Sequence, residues 1–521
     1  MSFFQHGVAS GDPLPTAVVL WTRVTPSAEA TPGSGKGPAA TVSWQVATDA
    51  RFRSVVAKGT VRTSRSLDHT VKVDAKGLKP ATRYYYRFKH AGRYSPVGRT
   101  KTAPSPTSTP ARLRLGVVSC ANYEAGYFSA YRHLADHELD AVVHLGDYIY
   151  EYGTGEYAMG QQNTVVRKTD PAHEIVSLAD YRRRHARYKT DPDLRTLHAR
   201  FPFITTWDDH ESANDAYAGG AENHDAREGS WLARRAAAYR AYDEWMPVRM
   251  GGTAAVGDGS RLYRRFRFGR LAELSLLDLR TYRSAPGGTF TDVPDPDDPG
   301  RTIAGATQLG WLEQGLATAE AQWKLVGNPV MIAPVLVPPL PNRLRDALED
   351  MEGLLPPEGV AYNSDQWDGY TADRRRVLEF LADQGITDTV FLTGDIHSAW
   401  ACDLPTNPGA YPVSSASVAT ELVCSSVTSN NLKDILGAPP YTASTAVVAG
   451  IQAANRHVRY LDFDCHGYSV LDVTPERAHM DWWVISDRAD KNATKALAKA
   501  FDVRASTQKV RPSTTSSEGA A

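Results

Sequence analysis

Four short stretches of this chain end apolar runs in residue types that bind cations. "RLRLGVVSC" stops at Cys120, and "HLGDYIYEYG" offers Asp147 with Tyr150 three residues on. "TTWDDHE" supplies Asp208, Asp209, His210 and Glu211, and "FLTGDIHSAW" supplies Asp395 and His397. A strand that merely ends needs only a turn former such as Gly-Asp. It needs neither the tyrosine nor the acids and aromatics that follow. Buried carboxylates are costly unless they are paired or bound to a cation. Each motif alone reads as a turn or a capped helix start; four such ends in one domain argue for a shared site.

The donor types divide into two sets. Cys120, Tyr150, Asp147 and His397 combine thiolate, phenolate, carboxylate and imidazole, which suits a redox-capable iron better than magnesium. Asp209 and Asp395 offer carboxylate oxygens suited to a hard cation, calcium or magnesium. Asp147 can touch both ions and bridge them. Two neighbouring ions form the usual clamp for in-line attack on phosphorus. No GxSxG nucleophile elbow ends a strand, and no P-loop pattern is present.

The elements that must position these residues are legible as two kinds of pattern. In the first hundred residues "TAVVLWTRV", "ATVSWQVAT", "HTVKVDAKGL" and "TRYYYRFKHAG" read as strands at sandwich-like spacing. "TAPSPTSTPA" then reads as a linker, which sets a boundary near residue 108. Beyond it, strand candidates such as "LAELSLLDLR", "QWKLVGNPV" and "DTVFLTGDIHS" alternate with helical stretches such as "SWLARRAAAYRAYDEWM" and "ADRRRVLEFLADQG". That alternation predicts an α/β domain, whose sites form at the carboxyl ends of strands. The expected organisation is an N-terminal β-sandwich over 1–108, a catalytic domain over 109–505 and a disordered tail over 506–521. "ADKNATKALAKAFDV", residues 489–503, has helical periodicity and reads as a helix able to cover the mouth of the site.

The ordered set of SC, GDxxY, WDDHE and GDxH resembles the PhoD-like alkaline phosphatase / phospholipase D family, within the calcineurin-like metallophosphoesterases. The likeness spans nearly the whole chain, from "FQHGVASGDPLPTAVVLWTRV" onward. It implies a metallophosphoesterase β-sandwich flanked by helices, preceded by a fibronectin- or immunoglobulin-like domain. It also implies Fe3+ on Cys120, Asp147, Tyr150 and His397, and Ca2+ on Asp147, Asp209 and Asp395, with Asn214 completing the calcium shell. His210 stands where related enzymes bind the phosphoryl group or protonate the leaving oxygen. In "NSDQWDGY", Trp367 and Tyr370 stand in a loop that the family uses near its active site. Asp278 and Arg280 in "LLDLRTYR" read as a structural ion pair, while Asn328, Asn455 and His457 are weaker site candidates.

The expected activity is hydrolysis of phosphodiesters, with phospholipids cleaved on the headgroup side, and of phosphomonoesters. One alternative is an alkaline phosphatase acting mainly on monoesters; another is an extracellular binding module with structural metals. A formal net charge of −1 gives no global reason to expect nucleic acid. The expected partner is a phosphate ester or phospholipid substrate, with transient lipid-surface contact and a monomeric state. "MSFFQHGVASGDP" lacks a basic and an apolar signal region, so the reading is either a cytosolic protein or a secreted one with its signal removed; the resemblance favours secretion. Four cysteines are too few for a disulfide scaffold. Cys120 is the free-thiol candidate, and among Cys402, Cys424 and Cys465 the suggested pair is Cys402 with Cys465.

Overall fold

The structure, a computed structural model, describes residues 3–157, 165–256, 261–286, 295–336 and 363–519. Among the described residues the strands form sheets of ten, seven and five members. The largest runs β22 (Val510–Pro512), β21 (Lys495–Arg504), β20 (Arg477–Ile485), β19 (Gly467–Val473), β9 (Leu113–Val118), β10 (Ala141–Leu145), β11 (Pro202–Thr206), β1 (Val8–Leu14), β2 (Ala17–Arg23), β5 (Thr70–Lys76). The second runs β12 (Arg264–Phe268), β13 (Ala272–Leu276), β14 (Trp323–Asn328), β15 (Thr389–Thr393), β17 (Ala419–Val423), β16 (Ala399–Leu404), β18 (Val458–Asp462). The third joins β4 (Val55–Thr63), β3 (Ala40–Ala47), β6 (Arg83–His90) and β7 (Arg93–Tyr94), with β8 (Gly98–Lys101) also paired to β6.

The two large sheets pack face to face, and the alternation of side chains within single strands shows why. In β10, Ala141, Val143 and Leu145 point into the space between the sheets, beside Leu115, Leu274, Leu325 and Leu392. Val142 points the other way, into a cluster with Tyr131, Leu134 and Tyr242 from the outer helices. β15 does the same, with Val390 and Leu392 inward and Phe391 outward against Val377 and Leu381. A strand covered on both faces reads as a near-continuous apolar run. These strands run parallel at the sheet centres, β9–β10–β11 in one and β13–β14–β15–β17 in the other. Their carboxyl ends therefore open on one side, where the acidic motifs begin.

The N-terminal sandwich forms as its sequence predicts, around Val18, Leu20, Val42, Val46, Tyr86 and Phe88. One of its sheets is continuous with the ten-stranded sheet, because β1 lies parallel on β11 with Ser10 opposite Pro202 and Gly11 opposite Phe203. A Cβ at Gly11 would stand 2.2 Å from the Pro247 carbonyl oxygen. Glycine is what lets the first strand dock.

The chain's end departs from expectation. The stretch 489–503 is not a helix: β21 pairs antiparallel with β20 from Arg477–Arg504 to Ile485–Lys495. Phe501 and Val503 alternate into the core with Met480 and Trp482, whereas Leu497, counted on the helical face, is exposed. Sheet pairing outweighs a helical pattern that alanine and lysine propensities create. The tail is not disordered either, since β22 pairs with β21 and Val510 is buried. Disulfides are also absent from the described residues. All four cysteines are free, and Cys465 Sγ lies 2.8 Å from the Tyr441 hydroxyl rather than on Cys402.

His479 ties this last part of the sheet together. Its Nε2 meets Asp481 Oδ1 and its Nδ1 meets Asp502 Oδ1, both at 2.8 Å, and Asp481 Oδ2 accepts from Ser517 N and Oγ. Burial disfavours the imidazolium, but hydrogen bonds to the two carboxylates win and raise His479 to about 9. A pKa raised above the unfolded value of 6.5 gives stability that is complete below 6.5 and is lost as pH rises through about 9. Discounted for solvent screening, the contribution is about 2 kcal/mol. His479→Gln should lower the urea midpoint at pH 6 and remove most of the decline that the parent shows between pH 6.5 and 9. Parallel pH profiles for the two proteins would refute the assignment.

Candidate metal centre

The strand ends deliver the predicted donors to one place. Cys120, Asp147 and His397 bring ligand atoms within 4.8 Å of one another, as do Asp147, Asp209 and His210, and as do Asp147, Asp208, Asp209 and Asp395. Asp147 belongs to all three groups. Tyr150 joins the first, its hydroxyl donating to Asp147 Oδ2 at 3.1 Å and lying 3.4 Å from His397 Nε2. Ser429 Oγ donates to the same hydroxyl at 2.5 Å.

The backbone is bent to achieve this. Cys120, Asp147, Asp395 and His397 all have positive φ, between 50° and 63°. Non-glycine residues hold that conformation only where the surroundings over-determine it, as at functional sites. Gly146 shows why the motif opens with glycine: its φ is 106°, and a Cβ there would sit 2.5 Å from Asp208 Cβ. Glu211 fixes the same turn by accepting from the backbone N–H groups of Asp147, Tyr148 and Asp208 at 3.1, 2.5 and 2.8 Å.

The electrostatics call for a cation. Burial above all, reinforced by neighbouring negative groups, pushes the Cys120 thiol, the Tyr150 phenol and the Asp147 and Asp395 carboxyls well up. Asp147 Oδ1 is buried and has no hydrogen-bond partner among the described residues, and a buried acceptor of that kind demands a partner. His397 is held neutral, lowered to about 3 by burial, and its Nδ1 is bonded to the Asn430 carbonyl at 2.7 Å. That leaves Nε2 as the lone-pair nitrogen, the form in which histidine binds metals. The residues present therefore fit bound metal, with Asp147 common to every candidate donor group.

Other residues fall elsewhere. The side-chain amide of Asn214 donates to Glu222 and its backbone N–H to Glu151, one step back from the cluster. Trp367 and Tyr370 are buried in the core, their polar atoms bonded to Asn328 Oδ1 and the Ser284 carbonyl. The same loop instead reaches the site through Gln366, which donates to Asp395, and Asp365. Asn328 is spent on Val330, Thr393 and Trp367, and Asn455 and His457 on Leu336 and Pro334. Asp278 and Arg280 do not pair through their side chains. Asp278 Oδ1 caps backbone N–H groups, while fully buried Arg280 holds Asp208, bonds Asp365 at 2.7 Å and stands 3.4 Å from Asp395. Sequence reasoning missed Arg280 as a site residue, although an arginine just beyond a strand's carboxyl end was the available signal.

Glu151 was missed as well. Its Oε2 meets His210 Nδ1 at 2.8 Å, and its Oε1 accepts from Asn214 N and Asn223 Nδ2 at 2.7 and 3.0 Å. Burial works against a charged His210, but Asp209, Glu151 and Asp147 outweigh it and hold its pKa well above the usual value.

Paired parallel-centred sheets with such a cluster of cation-binding side chains on their carboxyl ends are the arrangement of a metal-dependent phosphoesterase. Residues 115–482 match the family model described as PhoD-like phosphatase, and residues 2–104 match the PhoD-like phosphatase N-terminal domain. The chain belongs to the PhoD-like phosphatase family. It is 37% identical over 504 residues to alkaline phosphatase D of Bacillus subtilis (strain 168), covering 96% of this chain and 80% of that one. The solved structure of PhoD superposes with a TM-score of 0.86 at 35% identity, covering 99% of this chain and 93% of that chain. Purple acid phosphatase PPD1 from yellow lupin (Lupinus luteus) seeds, at 11% identity and a TM-score of 0.52 over 98% of this chain and 77% of that one, shares the fold. The chain is thus a phosphoric ester hydrolase, and the binding-module alternative falls.

Proposed function

We propose that the enzyme hydrolyses phosphodiesters, including phospholipids on the headgroup side, and phosphomonoesters at the same site. The observation that carries this reading is the Glu151–His210 pair beside the carboxylate cluster. A held proton donor matters most when the leaving oxygen belongs to an alcohol of high pKa, as it does in glycerol and headgroup esters. Cys120, Asp147, Tyr150 and His397 would hold Fe3+, and Asp147, Asp209 and Asp395 would hold Ca2+. Bound there, the ions would supply Lewis-acid stabilisation of phosphoryl charge and acidify water.

The chain's own residues do the rest. His210 donates its proton to the departing oxygen, and Glu151 fixes the ring by accepting from Nδ1. Ser429 orients the Tyr150 hydroxyl, and Arg280 holds Asp208 so that the neighbouring carboxylates keep their directions. Secretion, a monomeric state and transient contact with a lipid surface belong to the same reading and rest on the resemblance. The segment expected to cover the mouth of the site is a sheet strand and does not act as a lid.

The test is to assay a nitrophenyl monoester, an alkyl monoester and phosphatidylcholine vesicles side by side, with elemental analysis and a visible spectrum. A calcium chelator should stop turnover of every substrate and added calcium restore it, with iron and a tyrosinate charge-transfer band retained. Tyr150→Phe and Cys120→Ala should bleach the band. Vesicles left intact while both monoesters turn over would replace this reading by the monoesterase alternative; a colourless, iron-free, fully active enzyme would remove the iron assignment.

A further inference from the structure

The run Tyr150–Tyr157 does more than place a ligand. Its three tyrosines surround the His210 ring. Tyr150 lies on the face, with centroids 4.2 Å apart and planes at 30°, and Tyr157 meets it edge-on at 5.2 Å and 82°. Tyr152 stands at 5.8 Å and 57°, and braces Tyr157 at 4.9 Å. The separations that involve Tyr157 and Tyr152 are those of energetically favourable ring pairs.

The loop between them is built to return the chain to the same histidine. Gly155 has a φ of 84°, and a Cβ at Gly153 would stand 2.5 Å from Glu156 Oε2. Glu156 Oε2 accepts from Gly153 N at 2.8 Å and Glu124 Oε1 from Gly155 N at 2.6 Å, while Thr154 Oγ1 and Thr169 Oγ1 lie 2.7 Å apart. Glu151 meanwhile holds the ring only at Nδ1, a bond about which the imidazole can still swing. A hydrogen bond at one nitrogen with walls on the face and edge leaves one orientation.

We propose that Tyr157, braced by Tyr152, is a positioning residue for the proton donor: with Tyr150 it closes an aromatic collar that fixes the plane of His210 toward the leaving oxygen. This rests on the reading of His210 as that donor. Burial keeps the Tyr157 phenol protonated, and it hands no proton to the substrate. Misplacing a reacting group by a small distance is enough to cost a large factor in rate.

The experiment compares Tyr157→Ala, Tyr157→Leu and Tyr157→Phe with His210→Ala in the full chain, using an alkyl phosphate and a nitrophenyl phosphate. Tyr157→Ala should lower kcat/KM on the alkyl ester about tenfold more than on the nitrophenyl ester, and Tyr157→Phe, which keeps the ring, should restore the parent ratio. Metal content and the visible band should match the parent, and Tyr157→Leu stands in if the alanine variant does not fold. Equal losses on both esters, or loss of iron, would make Tyr157 a prop of Tyr150 and overturn the proposal while His210→Ala still discriminates. If His210→Ala itself fails to discriminate, the donor reading falls and the collar with it.

Discussion

Asp147→Asn will stop turnover of monoesters and diesters alike, by at least about a thousandfold. Asp147 is the one residue common to the three groups of candidate ligands, so its charge serves both proposed ions. Asparagine keeps the size and one acceptor but cannot bridge two cations. Both metals should therefore be depleted, and no substrate should be spared. Stability should move the other way in chelator. Burial above all raises the Asp147 carboxyl, and an acid raised in the fold costs stability at every pH above its unfolded value. Metal-free Asp147→Asn should thus unfold at a higher urea concentration than the metal-free parent at pH 7. Retention of more than a tenth of the activity, or loss confined to one substrate class, would show that Asp147 is not the bridge.

Legibility in the sequence followed how local each cause was. The strand cores were readable because a doubly covered strand carries a near-continuous apolar run, as "AVV" and "VFL" do within β10 and β15. The GDxxY and GDxH ends were readable because a glycine with no room for a Cβ, followed by an aspartate at positive φ, is a sequence-local device. Arg280 was not. Two residues from Asp278, it offers a local partner, and only the fold reveals that Asp208 and Asp365, from other segments, claim its guanidinium. Glu151 was hidden in the same way, since its value lies in meeting His210, 59 residues along the chain. Trp367 and Tyr370 misled because aromatics in a polar loop suit a pocket or a core equally well. Their neighbours Asp365 and Gln366 take the site-facing positions.

The C-terminal error has a different origin. In "KALAKAFDV" the apolar residues satisfy helical spacing, and alanine and lysine favour a helix. What decides is β20, whose Ala478 and Met480 stand opposite Val503 and Phe501 and close the core with them. A partner strand supplies that constraint, and nothing within the segment announces it. The consequence is functional, because a segment paired to β20 on one side and β22 on the other cannot swing over the site.

His210→Ala separates the proton donor from the metal cluster and should do so by the identity of the leaving group. A general acid contributes roughly 10²–10⁴-fold where the departing oxygen must be protonated and little where it leaves as a stable anion. Alkyl phosphates and phosphatidylcholine should therefore lose activity by that order, and nitrophenyl phosphate by far less. Glu151→Gln should give the same direction with a smaller loss, since it retains an acceptor for Nδ1 but not the charge that favours the imidazolium. Metals should stay bound in both variants, because the three groups leave Cys120, His397, Asp209 and Asp395 with Asp147 when His210 is removed. Kinetics on a series of esters graded by leaving-group pKa, with elemental analysis of each variant, makes the comparison. A steeper dependence of rate on leaving-group pKa in His210→Ala than in the parent identifies the donor. An unchanged slope with intact metals would mean that His210 binds phosphoryl oxygens instead, and an unchanged slope with metal loss would make it a ligand.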